Sequence, residues 1–221
     1  MKQSKHIIWD WNGTIVNDTW LFVELMNQVL KTRNLDRIDK TDYKNLFCFP
    51  LETYYQRLGF DFKKEPYEIP SMEFIKLYDK NKYDPLLFNG IKEILSLVKS
   101  LNSYNYLLSA QNQDSLIELV DFYKISSYFS SINGTDNFHA RGKNALAKKI
   151  LKKISTSSNN VIFIGDTTMD AEMALENQCK IIAITYGHHS ANRFDSDKNI
   201  LLVNSIYELK TCLLSLLLEN P

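Results

Sequence analysis

Four short strings hold the residues of this chain that could do chemistry. Asp10 opens Asp10-Trp11-Asn12-Gly13-Thr14, directly after the apolar run from His6 to Trp9. Ser109 follows another apolar run in Leu107-Leu108-Ser109-Ala110. Asp166 and Asp170 follow a third, in Ile164-Gly165-Asp166-Thr167-Thr168-Met169-Asp170, and Lys143 stands near the start of a helical pattern. Ligands of an open parallel sheet bind just beyond the carboxyl ends of its strands. Each of these polar residues, taken singly, also reads as a strand end or a helix cap. Their combination is hard to dismiss as capping. Carboxylates that converge on one pocket repel each other, and a bound cation must offset them.

The elements that would position these residues follow from the hydrophobic period. Short apolar runs at 6–9, 104–108, 161–164 and 180–185 predict buried strands, with a further short one at 130–132. Leu21, Phe22, Leu25, Met26, Val29 and Leu30 recur at helical spacing, with Asp18 or Thr19 as the cap. Two short helices are expected within 39–58, the second opening at Pro50, and another helical stretch runs to about residue 83. After Pro85, helices at 90–100, 114–123, 144–154, 168–176 and 205–218 alternate with the strands. Such alternation predicts a parallel sheet covered on both faces. The expected class is therefore α/β, a Rossmann-like three-layer core formed by residues 1–17 and 86–221. Residues 18–85 form an α-helical insert within it.

The chain resembles the haloacid dehalogenase (HAD) superfamily, which consists mainly of Mg2+-dependent phosphohydrolases. The resemblance rests on Asp10 to Thr14, on Ser109, on Lys143 and on Gly165-Asp166-x-x-x-Asp170, in the expected order along nearly the whole chain. The insert after the first motif matches the helical cap of the phosphoglycolate-phosphatase-like branch. The resemblance implies that Asp10 attacks phosphorus to form an aspartyl-phosphate, which water later hydrolyses. Mg2+ would be held by Asp10, Asp166 and the backbone carbonyl of Asn12, hard oxygen ligands of the kind it prefers. Ser109, Ala110, Lys143, Gly13 and Thr14 would hold the phosphoryl group, and Thr167 and Asp170 would support the ligands from behind. Arg141, two residues before Lys143, is a rival for the phosphate contact.

Asn12 departs from the family pattern. That position usually carries an aspartate that protonates the leaving group and then helps to deprotonate the attacking water. An amide can hydrogen-bond, but it cannot exchange a proton at neutral pH. Three readings follow: slow or leaving-group-selective hydrolysis, a proton supplied by His188, His189 or a cap residue, or a non-hydrolytic phospholigand-binding or regulatory role. The first is favoured, with a small phosphorylated metabolite as substrate.

Composition narrows the partners. The 221 residues carry 26 basic and 26 acidic side chains, so the formal net charge is zero. Neutrality argues against a protein built to coat nucleic acid or an anionic membrane. The stretch before Asp10 is too short for a signal-peptide core, and Leu213 to Leu218 is far short of a membrane span. Three widely spaced cysteines, Cys48, Cys179 and Cys212, read as reduced thiols, so a cytoplasmic protein is expected. Gly187-His188-His189 is expected to form a loop near the mouth of the site, touching substrate or partner. The aromatics of residues 43–83 read as the core of the insert. Glycine is scarce, seven in all, and Gly13, Gly165 and Gly187 fall where backbone would approach a phosphate or metal.

Overall fold

The computed structural model describes residues 3–135, 143–194 and 197–219. Six parallel strands form the central sheet: β1 (His6–Trp9), β4 (Tyr104–Asn112), β5 (Phe129–Thr135), β6 (Val161–Gly165), β7 (Lys180–Ile184) and β8 (Ile200–Val203). Their spatial order is β5-β4-β1-β6-β7-β8, which places β1 near the middle. The strands read as apolar runs because both faces of a parallel sheet are covered. Successive side chains point to opposite faces. Ile7, Trp9, Ile162 and Ile164 accordingly pack with helices α5 (Ile91–Ser100), α6 (Gln113–Phe122) and α9 (Ile206–Leu218). Ile8, Phe163 and Ile181 pack on the other side with α7 (Lys143–Ile154) and α8 (Thr168–Glu176). This is a three-layer α/β sandwich of Rossmann type.

Between β1 and β4 the chain leaves the sheet. A two-stranded antiparallel ribbon, β2 (Val16–Asn17) and β3 (Leu86–Leu87), clamps the outgoing and returning segments together. The intervening helices are α1 (Thr19–Lys31), α2 (Lys40–Leu46), α3 (Leu51–Arg57) and α4 (Glu68–Asn81). They pack around apolar residues of their own, among them Met26, Val29, Tyr43, Tyr54 and Phe60. Three core contacts hold α2 against the sheet edge. Lys44 Nζ donates to the Thr185 carbonyl at 2.7 Å, and Arg193 Nη1 donates to the carbonyls of Asn45 and Phe47 at 2.8 and 3.1 Å. Tyr43 and His188 supply the third, described below.

Two expectations need amendment. Strand β8 is additional to those predicted, because Ile200-Leu201-Leu202-Val203 is a four-residue run too short to separate from a helix by period. The predicted strands at 104–108 and 130–132 are longer, Tyr104–Asn112 and Phe129–Thr135, so Ser109 lies within its strand and not after it. Among the described residues no helix is long and apolar enough to cross a membrane.

Candidate active site

Strand register brings the sequence-predicted residues to one sheet edge. Trp9 pairs with Leu107 on one side and with Ile164 on the other. β1 and β6 therefore end nearly level, with Asp10 and Asp166 emerging side by side, while β4 runs on to Asn112 and carries Ser109 within it. The Asp10 N–H extends the ladder by donating to the Ile164 carbonyl at 2.8 Å. One carboxylate oxygen from each of Asp10, Asp166 and Asp170 lies within 4.8 Å of the others.

Lys143, the first residue of α7, reaches this cluster with its side chain buried. Its Nζ donates to Asp10 Oδ1 at 2.5 Å and to Asp170 Oδ1 at 2.6 Å. Burial pushes the Asp10 carboxyl well above the usual carboxylate range; Lys143 opposes the rise, and Asp170 and Asp166 add to it. Burial acts to lower the Lys143 pKa, but the two carboxylates outweigh it and the net shift is upward. The ammonium is therefore charged at neutral pH. Asp170 Oδ2 faces away, accepting from the Thr167 N–H at 3.1 Å and the Thr167 hydroxyl at 2.7 Å. That pair is the capping box of α8, so a helix start holds Asp170 in place.

Asp166 is fully buried and held from two loops. Thr14 Oγ1 donates to Oδ1 at 3.1 Å, and the His188 N–H donates to Oδ2 at 2.5 Å. Burial pushes its carboxyl up to about 6, with His188 opposing and Asp170 and Asp18 reinforcing the shift. Two glycines make this crowding possible. Gly13 has φ +70°, and a Cβ on it would fall on the Asp166 carboxylate. A Cβ on Gly187 would strike the same carboxylate and stand 2.5 Å from the Gly13 carbonyl. These glycines admit a carboxylate, where the sequence suggested a phosphate or metal. Gly187→Ala should displace Asp166 and cut kcat by about 10²-fold, since misplacement near 1 Å costs that much. Steady-state kinetics beside an unchanged circular dichroism spectrum would check it.

Gly13 and Thr14 also depart from their expected phosphate contacts. The Gly13 N–H donates to Asp18 Oδ1 at 2.8 Å, and the Thr14 N–H to the Trp11 carbonyl at 3.3 Å. Both groups are engaged inside the loop. Ser109 is buried, with its Oγ accepting from the Gln111 N–H at 3.1 Å, and Ala110 beside it is half-buried. Arg141 lies outside the described residues.

Asp18, Tyr78 and Tyr43 join this loop from beyond the predicted set, together with His188, a candidate proton source in the sequence. Asp18, expected as a cap of α1, makes no side-chain cap bond. Its Oδ2 accepts from Asn12 Nδ2 at 2.6 Å, and its Oδ1 lies 3.2 Å from His188 Nε2. Asn12 Nδ2 donates again to the hydroxyl of Tyr78 on α4 at 3.1 Å. His188 Nδ1 lies 2.8 Å from the Tyr43 hydroxyl on α2. His188 is 2% exposed and His189 fully buried, so neither lines a mouth as expected. His188 has its pKa raised: burial pulls down, and the bond to Asp18 and the charge of Asp166 prevail. His189 is pushed down to about 4, by burial first and then by Arg193 and His188. As a neutral ring it accepts from the Thr168 N–H at 3.1 Å and caps α8. The sequence signal for Asp18 was its distance of only eight residues from Asp10. For Tyr78 there was none short of the fold, whereas His188 was already a candidate proton source in the sequence.

Residues 7–184 match the family model of haloacid dehalogenase-like hydrolases. The chain belongs to that family. It is an enzyme of the phosphatase type, and haloacid dehalogenase-like relatives match nearly all of its length. A phosphoglycolate phosphatase from Synechococcus elongatus is 24% identical over 82% of this chain and 84% of its own. A probable phosphatase from Dickeya dadantii is 20% identical over 92% and 90%. A haloacid dehalogenase-like hydrolase from Streptococcus pneumoniae superposes with a TM-score of 0.78 at 19% identity, covering 96% and 97% of the two chains. The solved structure speaks for the fold alone.

Proposed function

We propose that this haloacid dehalogenase-like protein is a Mg2+-dependent phosphohydrolase of small phosphorylated metabolites, working through an aspartyl-phosphate on Asp10. The observation that carries the reading is the half-buried Asp10 carboxylate fixed by Lys143 beside the buried Asp166 and Asp170. Lys143 occupies Oδ1 of Asp10 and leaves Oδ2 without a protein partner among the described residues, as a nucleophile requires. The donor set also suits a magnesium ion. All the candidate ligands are hard oxygens, and one buried ammonium stands against three carboxylates, two of them pushed upward in pKa. Asp10, Asp166 and the Asn12 carbonyl would hold it, with Asp170 steering Lys143 and Thr167. When bound, the ion would neutralise phosphoryl charge and so lower the barrier to attack.

Lys143 and Ser109 would hold phosphoryl oxygens, while the segment 18–85 serves as a cap that closes over the substrate. With Asn12 in the acid–base position, the protein provides no proton to the leaving group from that side chain. Turnover therefore favours good leaving groups. Acetyl phosphate and p-nitrophenyl phosphate should exceed phosphoglycolate in kcat, in a reaction that needs Mg2+. Equal or faster turnover of phosphoglycolate would count against this selectivity.

Asn12→Asp tests the same point by gain. It would set a second carboxyl about 2.6 Å from that of Asp18, and such a pair holds one proton between its members. A retained proton is what a general acid needs. Phosphoglycolate turnover should rise by about 10²-fold, the lower end of what general acid–base catalysis contributes. A fall for every substrate would show that the pair misplaces the loop.

A further inference from the structure

The amide of Asn12 is not free to choose its orientation. Asp18 Oδ2, 2.6 Å away, belongs to a fully buried carboxylate that also accepts from the Gly13 N–H. A carboxylate accepts and does not donate, so the atom facing it must be Nδ2. The second hydrogen of Nδ2 goes to the Tyr78 hydroxyl at 3.1 Å. A tyrosine hydroxyl is a neutral phenol at working pH and can accept this hydrogen. Both Asn12 hydrogens are thus spent. Oδ1 is left without a protein partner among the described residues.

The place of this oxygen gives it meaning. Asp10 lies at the sheet edge, whereas Tyr78 belongs to α4 of the helical segment. Asn12 joins the two, standing where the nucleophile loop meets the helices above it. In-line attack by Asp10 sends the leaving group away from the sheet and toward those helices. A group leaving past Asn12 meets an acceptor there.

We infer that Asp18 and Tyr78 are positioning residues that present Asn12 as a hydrogen-bond acceptor to the leaving group, making the enzyme selective for phosphoramidates. This rests on the phosphohydrolase reading above. A phosphoramidate carries N–H donors on the atom that departs, whereas a phosphate monoester offers only an oxygen lone pair that faces Oδ1 unfavourably. At neutral pH the simplest member is the zwitterion with –NH3+ on phosphorus. The Asp10 carboxylate oxygen forms a bond to phosphorus, and the P–N bond breaks with its electron pair staying on nitrogen. Ammonia leaves neutral, so no side chain has to supply a proton. Water then cleaves the aspartyl-phosphate; one of its hydrogens stays on the phosphate and the other passes to the released ammonia. A site that lacks an acid at position 12 and keeps an acceptor there matches that sequence of events.

The test uses the full-length protein with Mg2+ and compares phosphoramidate, acetyl phosphate and phosphoglycolate. The wild type should turn over phosphoramidate with a kcat/KM at least about 10²-fold above that for phosphoglycolate. The decisive readout is the ratio of phosphoramidate to acetyl phosphate within each variant, which cancels any loss of folded protein. In Asn12→Ala and in Tyr78→Phe that ratio should fall about tenfold, the effect of one hydrogen bond. An unchanged ratio in either variant overturns the inference, as does wild-type turnover of acetyl phosphate without phosphoramidate. Absence of turnover for all three substrates removes the phosphohydrolase reading itself, and this inference with it.

Discussion

Asp10→Asn is expected to lower turnover of acetyl phosphate by about 10⁴-fold or more, as loss of a covalent nucleophile does elsewhere. The amide has nearly the shape of the carboxylate, so the change is one of chemistry. An amide oxygen carries no formal charge and cannot form the aspartyl-phosphate. Lys143 keeps its second partner, Asp170 at 2.6 Å, and stays seated. The variant should therefore fold with an unchanged circular dichroism spectrum. Acid-quenched incubations with labelled acetyl phosphate should trap phosphate on the wild-type protein and none on the variant. Residual activity above a tenth of the wild type would place the attacking group elsewhere.

Lys143→Met carries the second large effect, and it reaches both stability and rate. The lysine side chain is 3% exposed and bridges two carboxylates. Removing one member of a buried ion pair costs about 3–5 kcal/mol, because the remaining charge is left without compensation. The Asp10 carboxyl is already held high by burial, with Lys143 the main influence lowering it. Without the ammonium its pKa must rise further. Attack needs the carboxylate, so the acid limb of the rate–pH profile should move to higher pH. For stability the sign is opposite to that of an ion-paired acid. A carboxyl whose folded pKa lies above its unfolded value disfavours folding while it is charged. The deficit of Lys143→Met relative to wild type should then be largest at neutral pH. It should shrink as pH falls through the raised pKa toward the unfolded value near 4. Thermal unfolding at pH 7.5 and 5.0 measures it directly. Magnesium should restore part of the loss at the higher pH, since a cation offsets the same carboxylates.

Arg193 reaches from the core to α2, and Lys44 reaches back from α2 to the core. Each bonds backbone carbonyls across the junction, so opening the helical segment would break both contacts and the Tyr43–His188 bond. That last bond leads through Asp18 to Asn12. The junction and the nucleophile loop are thus one hydrogen-bonded unit.

What the linear order determined about this protein is the framework and its charged centre. Alternating apolar runs and amphipathic helices specify a covered parallel sheet. Acidic residues directly after strands mark its reactive edge, since strand direction alone decides where a chain emerges. Asp10, Asp166, Asp170 and Lys143 were legible because each belongs to a local string with its own strand or helix. The tertiary structure alone decided the surroundings of Asn12. Asp18 looked like a helix cap, and Tyr78 was one aromatic among many in a helical stretch. His188 was legible only as part of a loop near the site, and its partner Asp18 lies 170 residues away. Contacts of that kind carry no period and no local motif. They arise when packing of α4 and the β7 loop brings polar groups into a space where each buried donor must find an acceptor. The same packing gave Gly13 and Gly187 their role, because a carboxylate from a third segment fills the room their missing side chains leave.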